Sequence, residues 1–531
     1  LQFKGEKMNK ITRRELIKQT GLGVGAVAAI SLIGCSKTDS STSENAPAST
    51  AQNDAPKKGG VIKIGVINGN QAGNLDAHKP IGMSSAFRGW PLYAKLWEWG
   101  RDIQPKLALA EFAEPNNDGT KWTIRLKKGL EFHHGKTITA DDVIFSLRRL
   151  TDPKLASPFA AYLYSLQRNE IRKRDEYTVE IPFTQGKGLV ALPEAWMSWG
   201  GIVPTDYDPV KNVVGAGPFK LDSFTPGQRS RFVRFENYWK ENRPYADAIE
   251  IIDFKDQTGR LAALQSGQID IASGVSAEHI SLIQANKRLN LVSSETDAWQ
   301  SFDMNTSKAP FNDPRVRQAF RLIANRDDLV KRALAGQGRV ANDLYSFSDP
   351  VYDHSILQRK QDLNKAKALL KEAGFSNSLA VDLYTGPDSN AALVFAQHAA
   401  QAGVIVNVKQ VEAATFADAV KQDWAFSTGS NVSRPFLLTV LQIDGPGAAN
   451  NKTRFNNERF TELVHTALQQ PDLEKRKVLI HEAQHIQHEQ GGLLIWGFNH
   501  VLDAHSGQIG GVTPDRTGFA AWRTDEFWRR G

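Results

Sequence analysis

The sequence predicts a mixed α/β fold with more than one hydrophobic core, on three observations. The chain has 531 residues, more than a single core organises. Hydrophobic residues make up 41% and charged residues 23%, the balance of a folded soluble chain, and no apolar run reaches the roughly 18–20 residues of a spanning helix. Apolar patterns of period two and period 3.6 follow one another without a strict βαβ rhythm and without an internal repeat.

The strands come first. Residues 61–67 (VIKIGVI) form a short apolar run of buried-strand type. In 121–126, Trp122, Ile124 and Leu126 alternate, and 176–183 (EYTVEIPF) follows a charged turn at 173–175. Residues 218–235 predict a hairpin turning at Pro226-Gly227, and 248–254 and 269–272 add two strands. Among the helices, Thr139-Ala140-Asp141-Asp142 is a capping-box-like start before Val143, Ile144, Leu147 and Leu150. Asp313-Pro314 gives a cap and a first-turn proline before Val316, Ala319, Phe320 and Ile323. Residues 365–373 stop at Gly374, Phe460 to Leu468 repeats at helical spacing, and Pro471 precedes a last long helix over 472–490.

Charge and cysteine usage narrow the function. The net charge is +7, but residues 1–34 hold six bases against two acids, which leaves an excess of only three over everything else. So small an excess gives no electrostatic case for a nucleic-acid partner. With one cysteine, Cys35, neither an internal disulfide nor a four-cysteine zinc site can form. Residues 12–35 read TRRELIKQTGLGVGAVAAISLIGC: Arg13 and Arg14, then a Gly/Ala-rich apolar stretch. Residues 1–34 are thus expected to be an export signal of twin-arginine type, with Met8 as the natural start. Leu32-Ile33-Gly34-Cys35 resembles a lipoprotein box, which makes Cys35 the expected site of a lipid anchor. The polar stretch over 35–59 is read as a disordered tether.

Residues 118–149, DGTKWTIRLKKGLEFHHGKTITADDVIFSLRR, resemble the signature region of the family 5 extracellular solute-binding proteins, the oligopeptide-, dipeptide- and nickel-type receptors of ABC importers. In order, 213–223 (VVGAGPFKLDS), 237–240 (NYWK), 258–272, 303–338 and 362–374 resemble the family as well, so the likeness runs from about 60 to 531. The resemblance implies a two-lobed periplasmic-binding-protein-like fold (type II, cluster C-like) with an extra inserted subdomain. Lobe I would comprise 60–100, 213–297 and 500–531, the inserted subdomain 101–212, and lobe II 298–499. Two crossings, near Trp299 and Phe498, permit rotation about one hinge. The implied partners are a small-molecule or peptide-like ligand, an ABC permease complex and, through the lipid, a membrane. The protein is expected to be a monomer without cofactor or metal. Gly215 and Gly217 suit tight turns, and Trp122 and Phe145 suit core packing.

Binding needs inward-facing polar groups and flat aromatic surfaces. Trp299, Trp496 and Phe498 at the crossings are candidates, with hinge or core packing as the alternative reading. Gln300 offers an amide to a peptide-like ligand. Asn68 and Asn70 follow the first strand where family members meet ligand, or simply form a turn. At 427–435 (STGSNVSRP) many peptide-binding relatives carry an aspartate that neutralises a peptide α-ammonium; here Asn431 takes its place and Arg434 that of a second aspartate. A buried ammonium without its counter-charge costs roughly 3–5 kcal/mol, whereas a neutral hydrogen bond returns about 0.5–1.5 kcal/mol. An ordinary free-amino peptide is therefore not the expected best ligand. Arg434 instead suits a carboxylate or phosphate, unless it lies on a solvated loop.

His481-Glu482-Ala483-Gln484-His485 fits the H-E-x-x-H zinc pattern, which keeps a zinc-dependent hydrolase as the rival reading. Against it, Leu479, Ala483 and Ile486 share one helix side and His481, His485 and His488 the other, which should face water. The usual third ligand is missing too, since 491 is Gly and no glutamate occurs between Gln490 and Asp525. His133-His134 is expected to be a structural turn and not a metal pair, because adjacent strand side chains point apart.

Overall fold

The computed structural model describes residues 55–68, 71–197, 200–375, 379–412, 415–416, 418–445 and 447–530. Arg13, Arg14, Cys35 and Asn70 lie outside the described residues. No helix among those described is long and apolar enough to cross a membrane.

Helices and strands mix as the sequence predicts. Val61–Ile67 pairs in parallel with Ala248–Phe254 on one side and Ile271–Ser273 on the other. Ile62, Ile64 and Val66 point into one core. At Gly65 the other face is crowded by a neighbouring helix and the turn after it, so an added Cβ would lie 3.0 Å from Arg260 Cγ and 2.5 Å from Ile269 Cδ1. Strand pairs on both edges and cover on both faces explain the continuous apolar run. Phe219–Thr225 and Arg229–Arg234 form the predicted hairpin, with Gly227 at φ +72° in its turn. The strand expected at 269–272 is Ile271–Ser273, because Gln268 and Ile269 still donate to the Ala263 carbonyl of the preceding helix.

These strands belong to a sheet of eleven among the described residues. Its order is Val404–Gln410, Leu379–Thr385, Phe426–Asn431, Leu289–Met304, Leu493–Ser506, Ile271–Ser273, Val61–Ile67, Ala248–Phe254, Arg229–Arg234, Phe219–Thr225, with Gly338–Val340 also paired on Leu493–Ser506. Leu289–Met304 and Leu493–Ser506 are its longest strands, antiparallel from Leu289 opposite Ser506 to Asp303 opposite Leu493. Their pairing slips between Glu295 and Trp299. Such an irregularity bends and twists a strand locally. A second sheet, of Ala110–Pro115, Lys121–Leu126, Thr178–Pro182 and Arg172–Lys173, is built from the 101–212 region.

Three large apolar clusters lie around these sheets. One gathers Ile64, Phe219, Phe232, Ile251 and Phe527. A second gathers Phe302, Phe311, Phe320, Phe395, Phe426 and Trp496, with Phe302 and Phe395 rings 4.5 Å apart. Aromatic pairs at such spacing contribute about 0.5–1.5 kcal/mol beyond area burial. The third joins Trp122, Val143 and Leu163 to Phe436, Phe460 and Val464. Residues of the 101–212 region thus pack directly on helices Phe436–Ile443 and Glu458–Leu468.

The helix starts follow the predicted chemistry. Asp142 Oδ2 accepts from Thr139 N at 2.9 Å, closing the capping box of Ala140–Leu150. Asp313 caps Pro314–Ile323, Asp362 caps Leu363–Glu372 and Asp472 caps Leu473–Gln490. The C-terminal end of that last helix is served by arginines: Arg317 donates to Gln490 O at 2.8 Å, Arg359 to His488 O at 3.1 Å and Arg321 to Glu489 O at 3.4 Å. Cations there answer both the free carbonyls and the helix dipole.

Two expectations need correction. Gly215 and Gly217 are not turn glycines with positive φ. They are points of close approach, where an added Cβ would meet Leu92 O at 2.0 Å and Pro91 O at 2.4 Å. His488 does not face water. It is buried on the side of Gln484 and Gln487, while Leu479 and Ile486 are only half-buried. This helix side packs against polar backbone and side chains: Gln484 accepts from Asp353 N at 2.7 Å and Gln487 donates to Asp444 at 2.6 Å. The expected apolar side, with Ala483 buried and Leu479 and Ile486 packed on the core, is thus extended by a polar buried strip that an apolar-face reading misses.

Candidate functional site

Two adjoining chambers open beside the long strands. The first, of about 500 Å³, mixes polar and apolar groups, with Tyr162, Trp299, Asp303, Arg434, Gln442 and Lys452 on its wall. The second, of about 490 Å³, is walled by Trp90, Trp99, Phe519 and Trp522, with Gln300 and Asn499 as polar groups. Met83, Ser430, Asn431 and Arg434 line both. Pairing with the Leu289–Met304 strand places Asn431 opposite Trp299, more than a hundred residues away in sequence.

The ionic groups of the first chamber are arranged unequally. Asp303 is buried, accepts from Ser301 Oγ and lies 3.6 Å from Lys452 Nζ. Arg434 donates to Gln442 Oε1 and, at 3.4 Å, to Asn431 Oδ1, and its guanidinium sits 5.7 Å from the Tyr162 ring centroid. Burial pushes the Tyr162 phenol up, against the pull of the Arg434 charge. With Asp303, Lys452 and Arg434 as the charged lining groups, the two chambers carry one net positive charge.

The structure brings together Trp299, Gln300, Asn431 and Arg434 on these walls and leaves the other expected residues elsewhere. Trp299 stacks on Tyr345 with centroids 6.2 Å apart, and Gln300 donates to Asn499 at 3.2 Å. Trp496 lies inside the aromatic cluster against Phe302, and Phe498 is buried against Phe347 and the Arg339 guanidinium. Both were candidates for the cleft, with hinge or core packing as the alternative. Both belong to packed interior, the alternative reading, in two different apolar clusters on a strand whose register shifts between them. Asn68 lies near Asp253 and Gly227, away from both chambers. His133 is a half-buried structural group: Gly215 N donates to Nδ1 at 3.3 Å, and desolvation lowers the imidazole to about 4. Sequence reasoning passed over Trp90, Trp99, Phe519, Trp522, Asp303 and Lys452. Twelve tryptophans in the chain were the only hint of an aromatic surface.

Residues 103–436 match the family described as bacterial extracellular solute-binding proteins, family 5 (middle region). The chain belongs to this family. It is a solute-binding protein of an ABC importer, acting outside the cytoplasm. The chain is 28% identical over 456 residues to the glutathione-binding protein GsiB of Escherichia coli K12, covering 81% of this chain and 87% of that one. It is 28% identical to heme-binding protein A of Haemophilus influenzae over 450 residues, 75% of this chain and 80% of the relative. In fold it resembles DppA of Helicobacter pylori solved with the peptide STSA, at a TM-score of 0.75 and 20% identity, covering 90% of this chain and 99% of the other.

In this binding protein the H-E-x-x-H segment is tied up as structure. Both carboxylate oxygens of Glu482 accept from Arg459, at 2.7 and 3.0 Å, and this holds the carboxyl below its ordinary range. A glutamate so paired is a poor general base. His481 and His485 flank Asp353, at 3.8 and 3.2 Å. Among the described residues no group of three His, Cys, Asp or Glu side chains is arranged to hold a metal. We therefore expect protein dialysed against a mild chelator to retain no zinc, and Glu482→Gln to leave solute binding unchanged. Stoichiometric retained zinc, lost in His485→Ala, would restore the hydrolase reading.

Proposed function

We propose that this binding protein captures a peptide-like, carboxylate-bearing small solute between two lobes and hands it to its permease. Lobe I is taken as 60–100, 213–297 and 500–531, with 101–212 inserted, and lobe II as 298–499. The observation that carries the reading is the composition of the first chamber: Pro80 and Met83, Phe159 and Tyr162, and Trp299, Arg434 and Lys452 come from three separate stretches of chain and share one cavity. A cavity assembled this way changes volume whenever those parts rotate about the long strands. Ligand that touches both sides then stabilises the closed form by its extra contacts. Arg434 supplies the charge for a carboxylate, and the relatives named for glutathione and heme are named for ligands that both carry carboxylates. Export through the Arg13-Arg14 signal, a lipid on Cys35 and a monomeric state complete the proposal.

Small-angle scattering across a panel of peptides and organic acids tests closure. A bound solute is expected to shrink the radius of gyration and to protect the Leu289–Met304 strand from hydrogen exchange. A solute that binds by calorimetry yet leaves the scattering profile unchanged would remove the hinge from this account, and cleavage of any panel member would remove capture itself.

A further inference from the structure

The donor and acceptor balance of the two chambers narrows the solute further, given the capture reading above. Four acceptors on the walls are already used by the protein. Asp303 is engaged by Ser301 and Lys452, Asn431 Oδ1 and Gln442 Oε1 by Arg434, and Asn499 Oδ1 by Gln300. Donors are left over. The indole N–H groups of Trp299 and Trp522 and the Ser433 hydroxyl are buried without a hydrogen-bond partner among the described residues. Each belongs to a residue lining one of the chambers. The contacts of Arg434 to Asn431, Gln442 and the Tyr162 ring are all with neutral groups. An indole N–H and a guanidinium can only donate, so no reorientation turns them into acceptors. A solute that pairs with Arg434 brings a carboxylate or phosphate oxygen.

Shape adds a second constraint. No acidic residue lines the second chamber, and its walls are the rings of Trp90, Trp99, Phe519 and Trp522. Trp90 and Trp522 are stacked, with centroids 5.1 Å apart and planes within 18°. Such a wall suits a planar or apolar group and offers an ammonium no counter-ion.

We infer that the cleft selects a two-part solute without a free ammonium: a carboxylate end held at Arg434 and a flat aromatic group in the chamber walled by Trp90, Trp99, Phe519 and Trp522. An amino-blocked aromatic dipeptide is the simplest member of this class. Asp303 does not provide the missing ammonium site, since Lys452 already neutralises it.

The test is calorimetric titration of the full binding protein with N-acetyl-Phe-Trp, with free Phe-Trp and with N-acetyl-Phe-Trp amide. The acetylated acid is expected to bind about 30-fold more tightly than either of the others, the cost of removing one member of a desolvated charge pair or of adding an unpaired charge. Arg434→Met is expected to bring the acid down to the affinity of the amide while the amide stays unchanged, which also shows that the variant is folded. Trp522→Leu is expected to weaken both acetylated probes together. Free Phe-Trp or glutathione binding as tightly as the acetylated acid overturns the inference. So does an acid affinity that survives Arg434→Met, or no binding by any of the three. Closure on another solute in the scattering panel would then leave the capture reading standing without this solute class.

Discussion

Replacing Asp343 by asparagine is expected to destabilise the folded protein by roughly 3–5 kcal/mol, the cost of removing one partner from a buried ionic group. Asp343 is fully buried and sits among three guanidiniums, with Arg326 at 2.6 Å, Arg359 at 3.2 Å and Arg321 at 3.9 Å. Burial pushes its carboxyl up, but Arg326, Arg359 and Arg321 push it further down, and the net direction is downward. The carboxylate is thus charged at neutral pH and holds together cations that also close the end of the Leu473–Gln490 helix. Without it those cations face one another in low dielectric. Asparagine is the informative replacement. Asp343 has φ +61°, a left-handed conformation that Asn tolerates, so the variant changes charge with little backbone penalty. Chemical denaturation checks this, and a change within about 1 kcal/mol would show that the arginines are satisfied by carbonyls alone.

Asp444→Asn is expected to act in the opposite direction above neutral pH. Asp444 is buried behind the cleft. It accepts from the Tyr345 hydroxyl at 2.8 Å and from Gln487 at 2.6 Å, and Tyr345 stacks on Trp299. Burial raises its carboxyl from 3.8 to about 6. The folded protein therefore holds a proton that the unfolded chain has released. The contribution of Asp444 is fully present below about pH 4 and is lost as pH rises through about 6. The loss is on the order of 3 kcal/mol by pH 7.5. Asparagine mimics the protonated acid, and its amide can donate to Gln487 Oε1, which has no partner among the described residues. The variant should match the parent near pH 4 and exceed it by about 2–3 kcal/mol at pH 7.5. Parallel stability curves from pH 4 to 8 would show that Asp444 does not titrate in the folded protein. Asp503, raised to about 6 by burial, contributes with the same sign in both proteins and cancels in the comparison.

Local chemistry was legible where neighbours in sequence are neighbours in space. The capping box at Thr139, the proline-started helix at Asp313-Pro314 and the Pro226-Gly227 hairpin depend on a few adjacent residues, and each lies where the pattern puts it. The last helix shows the limit. Its ends follow from Asp472 and Gly491, but its buried side follows hydrophobicity only in part, since Gln484, Gln487 and His488 are inside along with Ile480 and Ala483. The cleft was legible only in part. Trp299, Asn431 and Arg434 were reached through family resemblance, whereas Asp303, Lys452 and the Trp90–Trp522 wall carry no local mark that separates them from core or surface.

By itself the sequence determined the mixture of strands and helices, their caps and turns, and membership of a solute-binding family through ordered motifs. Only the tertiary structure decided which tryptophans meet the cleft and which are interior. Trp299 and Trp496 sit on adjacent long strands in similar apolar surroundings, yet one lines a chamber and the other is packed on Phe302. Strand alternation says which residues share a face. What covers that face is set by segments a hundred or more residues away, and no local pattern encodes that distance.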